Sequence, residues 1–263
     1  MIDKNLTVYK IMKFVSLAKL LIPKGFRLQF LFLRLKLTSR LDVEMKALRK
    51  ERPSCRRAID VGANVGIYSY YFSTFSESVD SFEPVKQISS LLEAYALRCK
   101  KVKLHNVGLS NRVGKFNIYY PYTISTREPN WGLASLTNPC IDCGVLSVDV
   151  RRLDDYKFTN VDIIKIDVEG HEMDVVLGAV ETIRRDRPIL LVEIEQRHLK
   201  RPISDVFDYI IKLGYVGGFY RGGRFTPLNE FSYERDQGAY LKNVYSRGYI
   251  NNFIFKPVDQ SLD

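Results

Sequence analysis

Beyond residue 57 the chain alternates short apolar runs with stretches of helical spacing. "RAIDVG" (57–62) predicts a buried strand and residues 65–75 a helix. "SVDSFEP" (78–84) predicts a second strand, closed by Pro84. Val85, Ile88, Leu91, Leu92, Tyr95 and Leu97 then recur at helical intervals over residues 85–99. "KVKLHNVGL" (101–109) predicts a third strand, and the period-two alternation of "GKFNIYY" (114–120) and "GVLSVDVRRL" (144–153) an extra pair. A strongly apolar strand, "VDIIKIDV" (161–168), precedes a helix over 173–186, a strand "RPILLVEIE" (187–195), a helix over 203–213 and a final strand "NNFIFKP" (251–257). Strand and helix in this rhythm define an α/β, doubly wound, mostly parallel sheet with helices on both faces. Ligands of such sheets sit beyond the carboxyl ends of the strands. The candidates there are Asp60–Gly66, Glu83, Asn106–Leu109, Asp167–His171 and Glu193–Glu195.

The first 54 residues do not follow this rhythm and form an N-terminal extension to a domain over 55–263. Residues 1–57 carry fifteen Lys/Arg against four Asp/Glu, a surplus of +11 in a chain of net charge +10, so the pI says little about the domain. The longest unbroken apolar run is Phe30–Leu33, far short of the roughly 20 residues a spanning helix needs. No export signal is recognisable, so a cytoplasmic location is expected. Lys10, Lys13 and Lys19 among Ile11, Phe14, Leu17 and Leu21 suit a basic amphipathic helix. Two readings of residues 1–50 stand: a peripheral contact with anionic membrane, or a helical cap packed on the core.

The stretch "AIDVGANVGIYSYYF" (58–72) joins a strand to a helix through two glycines. Gly62 and Gly66 allow positive φ, and free N–H groups at the helix start would face a ligand. Glu83, 21 residues after Gly62, can accept both hydroxyls of a ribose. A dinucleotide site would carry a middle glycine where Asn64 stands, and Asp60 repels phosphate. The cradle therefore suits a cationic nucleoside, S-adenosyl-L-methionine, better than NAD. In "IIKIDVEGHE" (163–172), Asp167, Glu169 and His171 cluster where Gly170 turns the chain. They are the candidates for positioning the reactants and, His171 first, for taking a proton.

"AIDVGANVGIYS", "FEP", "HNVGLSN" and "IIKIDVEGHEMDVVLGA", followed by "RPILLVEIE", together resemble the FkbM-type S-adenosylmethionine-dependent methyltransferases over about residues 55–257. The resemblance implies a class I methyltransferase (Rossmann-like) sheet of seven strands with the last antiparallel. It implies methyl transfer to oxygen, often on a sugar, glycan or polyketide. By position it places Asp60, Gly62 and Gly66 at the methionine end of the cofactor, Glu83 at its ribose, and Asn106 and Val107 at its adenine. A carbohydrate or glycolipid precursor is the expected acceptor. An RNA methyltransferase and a non-catalytic partner protein are the alternatives.

The remaining features add less. Cys55, Cys99, Cys140 and Cys143 are expected as reduced thiols; "CIDC" is half a zinc site without a second pair, so no metal is assigned. Residues 121–144, with the only tryptophan, Trp131, form a long loop, either a lid or a surface excursion. Residues 214–249 hold six tyrosines and four arginines, but five Lys/Arg against three Asp/Glu is thin for a nucleic-acid groove.

Overall fold

The computed structural model describes residues 22–38, 41–122, 143–246 and 248–258. Helices α1 (Arg27–Leu37) and α2 (Val43–Glu51) come first. Strand β1 (Cys55–Val61) leads into α3 (Ile67–Ser73), β2 (Ser76–Phe82), α4 (Ser90–Ala96) and β3 (Val102–His105). Strands β4 (Gly108–Leu109), β5 (Gly114–Pro121) and β6 (Cys143–Arg151) form a separate three-stranded sheet. The chain then returns through β7 (Val161–Ile166), α5 (Glu172–Leu177), α6 (Val180–Asp186), β8 (Ile189–Glu193) and α7 (Ile203–Lys212). It closes with β9 (Tyr215–Arg221), β10 (Arg224–Pro227) and β11 (Asn252–Pro257).

The main sheet has the order β10-β9-β11-β8-β7-β1-β2-β3. Its five strands from β8 to β3 are parallel, and β11 runs antiparallel between β8 and β9. The order reverses between β1 and β7, so the crevice for a ligand opens at their carboxyl ends. Period-two alternation divides the core between the faces. Ile59, Val61, Ile164, Ile166, Leu190 and Val192 fill one, while Ala58, Ile163, Ile189, Leu191 and Ile254 fill the other.

That second face also receives the described part of the N-terminal extension. Leu28 and Leu48 are fully buried there. The ring of Phe32 lies 5.7 Å from Tyr71 and 4.9 Å from Tyr70. The Tyr68 hydroxyl donates to Asp42 at 2.7 Å, just ahead of α2, and Lys256 pairs with Glu51 at 2.7 Å. Residues 1–21, with Lys10, Lys13 and Lys19, lie outside the described residues. Among the described residues no helix is long and apolar enough to cross a membrane.

Several elements differ from the sequence pattern. The long helix expected over 173–186 is two helices, because Gly178 lies so near the backbone of Ser110 that a Cβ would sit 2.0 Å from its carbonyl oxygen. The third strand ends at His105, and Gly108–Leu109 pairs with β6 instead. The helix expected over 85–99 begins at Ser90, after a turn in which Val85 N–H donates to Glu83. The main sheet has eight strands rather than seven, since β10 folds back on β9 as a hairpin. Cys143 is disulfide-bonded, against the expectation of four reduced thiols; Cys55 and Cys99 are free. Most of the long loop, including Trp131, lies outside the described residues.

Truncating the buried contacts of α1 or α2 tests how far the extension belongs to the core. Leu28→Ala and Leu48→Ala should each lower unfolding free energy by about 2–5 kcal/mol in urea titrations. Unchanged midpoints would mean that these helices do not support the fold.

Candidate active site

The turn after β1 is held shut by its own backbone. Gly62 and Ala63 both donate N–H to the Phe82 carbonyl (2.9 and 3.0 Å), and Gly66 N–H reaches Ala63 O at 2.8 Å. Asn64 N–H donates to Glu83 Oε2 at 3.0 Å, and Val65 N–H to Asn64 Oδ1 at 2.7 Å. All five N–H groups from Gly62 to Gly66 are therefore engaged within the protein, not free to face a ligand as the sequence suggested. A phosphate cradle needs them free. The glycines have packing reasons as well. A Cβ on Gly62, at φ +75°, would stand 1.7 Å from the Asp167 carbonyl oxygen. On Gly66, at φ +98°, it would stand 2.8 Å from Leu92.

The sequence-predicted residues divide by position. Gly62, Asn64, Glu83, Asp167, Glu169 and His171 line one cleft at the carboxyl ends of β1, β2 and β7. Asp60 does not: it is 1% exposed beneath the cleft, where Ser69 Oγ donates to it at 2.5 Å. Burial pushes its carboxyl up to about 6, against the pull of Lys165. Gly66 packs on Leu92 behind the turn. Asn106 points back to the Glu83 carbonyl and Ser89 Oγ, both at 3.4 Å, and Val107 belongs to the core. The next residues, Gly108 and Leu109, line the cleft there instead.

Sequence reasoning missed an apolar slot opposite Glu83, formed by Val85, Ile88, Leu109, Ile118, Val148 and Val150. The alternation of β5 and β6 was visible, but not that their inward face roofs the cleft. The slot and the Glu83 carboxylate suit a nucleoside, with its base against apolar walls and its hydroxyls on the acid. Glu83 already accepts Val85 N–H (2.9 Å) as well as Asn64 N–H, and a carboxylate has lone pairs left for ribose. Burial raises its pKa to about 7, opposed by those two hydrogen bonds. Among the described residues the lining contains three carboxylates (Glu83, Asp167, Glu169) and no Lys or Arg. Those acceptors fit a cationic nucleoside such as S-adenosyl-L-methionine, not a pyrophosphate.

His171 stands at the rim and also lines a second, open groove. Its Nδ1 is 3.2 Å from Asp174 Oδ2, and its Nε2 is 2.9 Å from Ser110 Oγ. Asn111 Nδ2 fixes Asp174 from the other side at 2.7 Å, and Phe116 meets the imidazole edge-on at 5.4 Å. The proton belongs on Nδ1, beside the carboxylate, which leaves Nε2 as the basic nitrogen. Burial and the nearby Arg112 lower the imidazole pKa, although Asp174 opposes them. The ring is thus neutral at neutral pH. Glu169 occupies a left-handed conformation (φ 50°) and pairs with His198 at 2.9 Å. Glu169, Glu195 and His198 bring possible metal-ligand atoms within 4.8 Å of one another, a set the sequence did not single out. Glu195, however, is already held by Arg197 and Tyr249.

Asp167 rests on a buried lysine. Lys165 Nζ, on a side chain 2% exposed, lies 2.9 Å from Asp167 Oδ2 and 4.0 Å from Glu193 Oε2. It also sits 4.7 Å from the centre of the Tyr68 ring. Its pKa is raised by Asp167, Glu193 and Asp60, which together outweigh burial, so it stays charged. Glu193 is pushed the other way, well above the usual carboxylate range, by burial and then by Asp167.

A doubly wound sheet with an antiparallel strand inserted near one edge, and a cleft at its switch point, is the class I methyltransferase fold. Comparison with known proteins gives the family. Residues 60–216 match the Methyltransferase FkbM domain, and the chain belongs to that family of methyltransferases. The 2-O-methyltransferase NoeI of Sinorhizobium fredii (strain NBRC 101917 / NGR234) is 25% identical over 183 residues, 62% of this chain and 74% of NoeI. The crystal structure of methyltransferase FkbM from Methylobacillus flagellatus KT superposes with a TM-score of 0.50 at 16% identity, over 76% of this chain and 43% of that one. This chain thus spans less than half the length of that solved protein.

Gly62→Ala should be among the most damaging single substitutions in the chain. Combining a clash with the Asp167 carbonyl and a strained φ, it is expected to cost about 4 kcal/mol or more in denaturant unfolding. A stable variant with an intact cleft would show that the two turns can separate at no cost.

Proposed function

We propose that this chain is an S-adenosyl-L-methionine-dependent O-methyltransferase acting on a hydroxyl of a carbohydrate, glycan or glycolipid precursor. The observation that carries the reading is His171. It is a neutral imidazole with a fixed tautomer, placed where the nucleoside cleft meets an open groove. The absence of Lys and Arg among the described residues of the cleft lining supports a cofactor without phosphates. The relationship to a 2-O-methyltransferase supports oxygen as the atom methylated.

Bound S-adenosyl-L-methionine would supply a methyl carbon activated by its sulfonium charge. Glu83 would hold the ribose hydroxyls, and Asp167 and Glu169 would favour the cationic end of the cofactor. An acceptor hydroxyl arriving from the groove would take the place of Ser110 at His171 Nε2 and give up its proton there as its oxygen accepts the methyl group, the carbon–sulfur electron pair leaving with S-adenosylhomocysteine. Asp174 stabilises the imidazolium that forms, and Asn111 keeps Asp174 in line. Removal of the base should lower kcat about 10²–10⁴-fold.

Three measurements test this reading. S-adenosylhomocysteine should raise the melting temperature and NAD should not; a response to NAD alone would overturn it. Affinity for S-adenosylhomocysteine should increase as pH rises through about 7, where Glu83 ionises and becomes the better acceptor. Glu83→Gln should flatten that dependence and weaken binding by about 1–3 kcal/mol. With labelled methyl donor and cell glycan extracts, His171→Ala should lower kcat while leaving cofactor affinity unchanged. The wild-type rate should hold through neutral pH and fall only below the ordinary histidine range of about 6.5. Arg112→Ala should move that fall to higher pH, because Arg112 is one of the causes of the lowered pKa.

A further inference from the structure

The two cavities that meet at His171 have opposite charge. Among the described residues the donor cleft carries Glu83, Asp167 and Glu169 and no cation, whereas the groove on the other side is lined by Arg112, Lys115, Lys200 and Arg201 with Asp174 as its one acid. Local pairing removes some of these from consideration. Lys115 is bonded to Asp149 at 2.9 Å, and Asp174 is taken by His171 and Asn111. Arg112, Lys200 and Arg201 remain. Among the described residues none of their charged groups has an acidic partner, and all three residues are exposed.

Exposed cations on a convex surface are ordinary, but these three converge on one concavity next to the proposed base. Arg112 is also held in place, its guanidinium 4.9 Å over the Phe116 ring. Guanidinium and ammonium groups gathered in this way match the oxygens of a phosphate, which accepts several charge-assisted hydrogen bonds at once. Phe116 and Tyr119 line the same groove and supply apolar surface for the uncharged part of a ligand. A neutral glycoside would use the rings but leave the cations idle.

We propose that the acceptor carries a phosphate group, as a monoester or diester on its sugar, and that Arg112, Lys200 and Arg201 hold this phosphate while the hydroxyl to be methylated reaches His171. The proposal rests on the carbohydrate O-methyltransferase reading and narrows its substrate class. It gives Lys200 and Arg201, on the loop between β8 and α7, a role in acceptor specificity that the cofactor motifs do not reveal.

The test has two arms. In the first, inorganic pyrophosphate is titrated into the full-length chain saturated with S-adenosylhomocysteine, and heat is measured. Binding should be at least tenfold weaker in the double variant Lys200→Ala/Arg201→Ala. It should be unchanged in Lys46→Ala/Lys50→Ala, which removes two exposed cations on α2. No binding to the wild type, or equal binding by both variants, overturns the proposal. In the second arm, cell glycans and glycolipids are separated on an anion exchanger and offered with labelled methyl donor, before and after phosphatase or mild acid removes their phosphates. Label should enter the retained material and fall at least tenfold once phosphate is removed, and Lys200→Ala/Arg201→Ala should raise KM at least tenfold with kcat little changed. Label in neutral saccharides, or in retained material regardless of phosphate, overturns the phosphate site and leaves the carbohydrate reading standing. Label in RNA, or in no saccharide fraction while S-adenosylhomocysteine still binds, overturns both.

Discussion

One buried ammonium organises the carboxyl ends of the central strands. Lys165 lies in the fully buried strand β7, registered with Asp60 on β1 and Leu191 on β8. Placing a charge there is costly unless it is paired. Asp167, Glu193 and Asp60 supply that pairing, and the Tyr68 ring closes the space above. The pairing is mutual: Lys165 opposes the burial that raises the pKa of Asp60. Without it, two or three carboxyl groups would face each other in a dry sheet, and the donor cleft would lose its floor. Tyr68 connects this centre to the N-terminal extension through Asp42, so helices outside the sheet take part in holding the site.

Charge is then sorted around His171. The donor side is acidic and its loop amides are satisfied internally, which suits a cofactor that is itself positive. The far side is basic, with cations that local acids leave free. The imidazole between them has one nitrogen beside Asp174 and the other at Ser110. As the proposed proton acceptor, the imidazole has to be neutral and correctly oriented before it can take a proton. Burial and Arg112 supply the first condition, and the chain of Asn111, Asp174 and Ser110 supplies the second.

Glycine in this protein serves the contact between loops more than the ligand. Gly62 allows the β1 turn to lie against the Asp167 backbone, and Gly178 allows the break between α5 and α6 to lie against Ser110. These two approaches set the distance between the cofactor turn, the "DVEGHE" turn and the histidine's serine partner. The site depends on backbone packing of segments that lie more than a hundred residues apart, or nearly seventy, in sequence.

The sequence by itself determined the parallel strands of the sheet and its antiparallel last strand, the alternation of faces, the family and the identity of most cleft residues. Periodicity and strand-end position are local properties that survive without knowledge of contacts. It placed Asn64, Glu83, Asp167, Glu169 and His171 at the cleft because each lies in the turn that follows an apolar strand. Tertiary structure alone decided the rest. It buried Asp60 under the cleft, since side-chain direction at a strand end depends on which neighbours supply Ser69 and Lys165. It turned Asn106 and Val107 away and brought in Ile118, Val148 and Val150 from a hairpin whose docking no pattern records. It split the helix over 173–186, because a close contact with Ser110 exists only once the chain has folded. It also joined Arg112 to Lys200 and Arg201, residues from distant loops whose meeting on one side of His171 is a property of packing rather than of spacing.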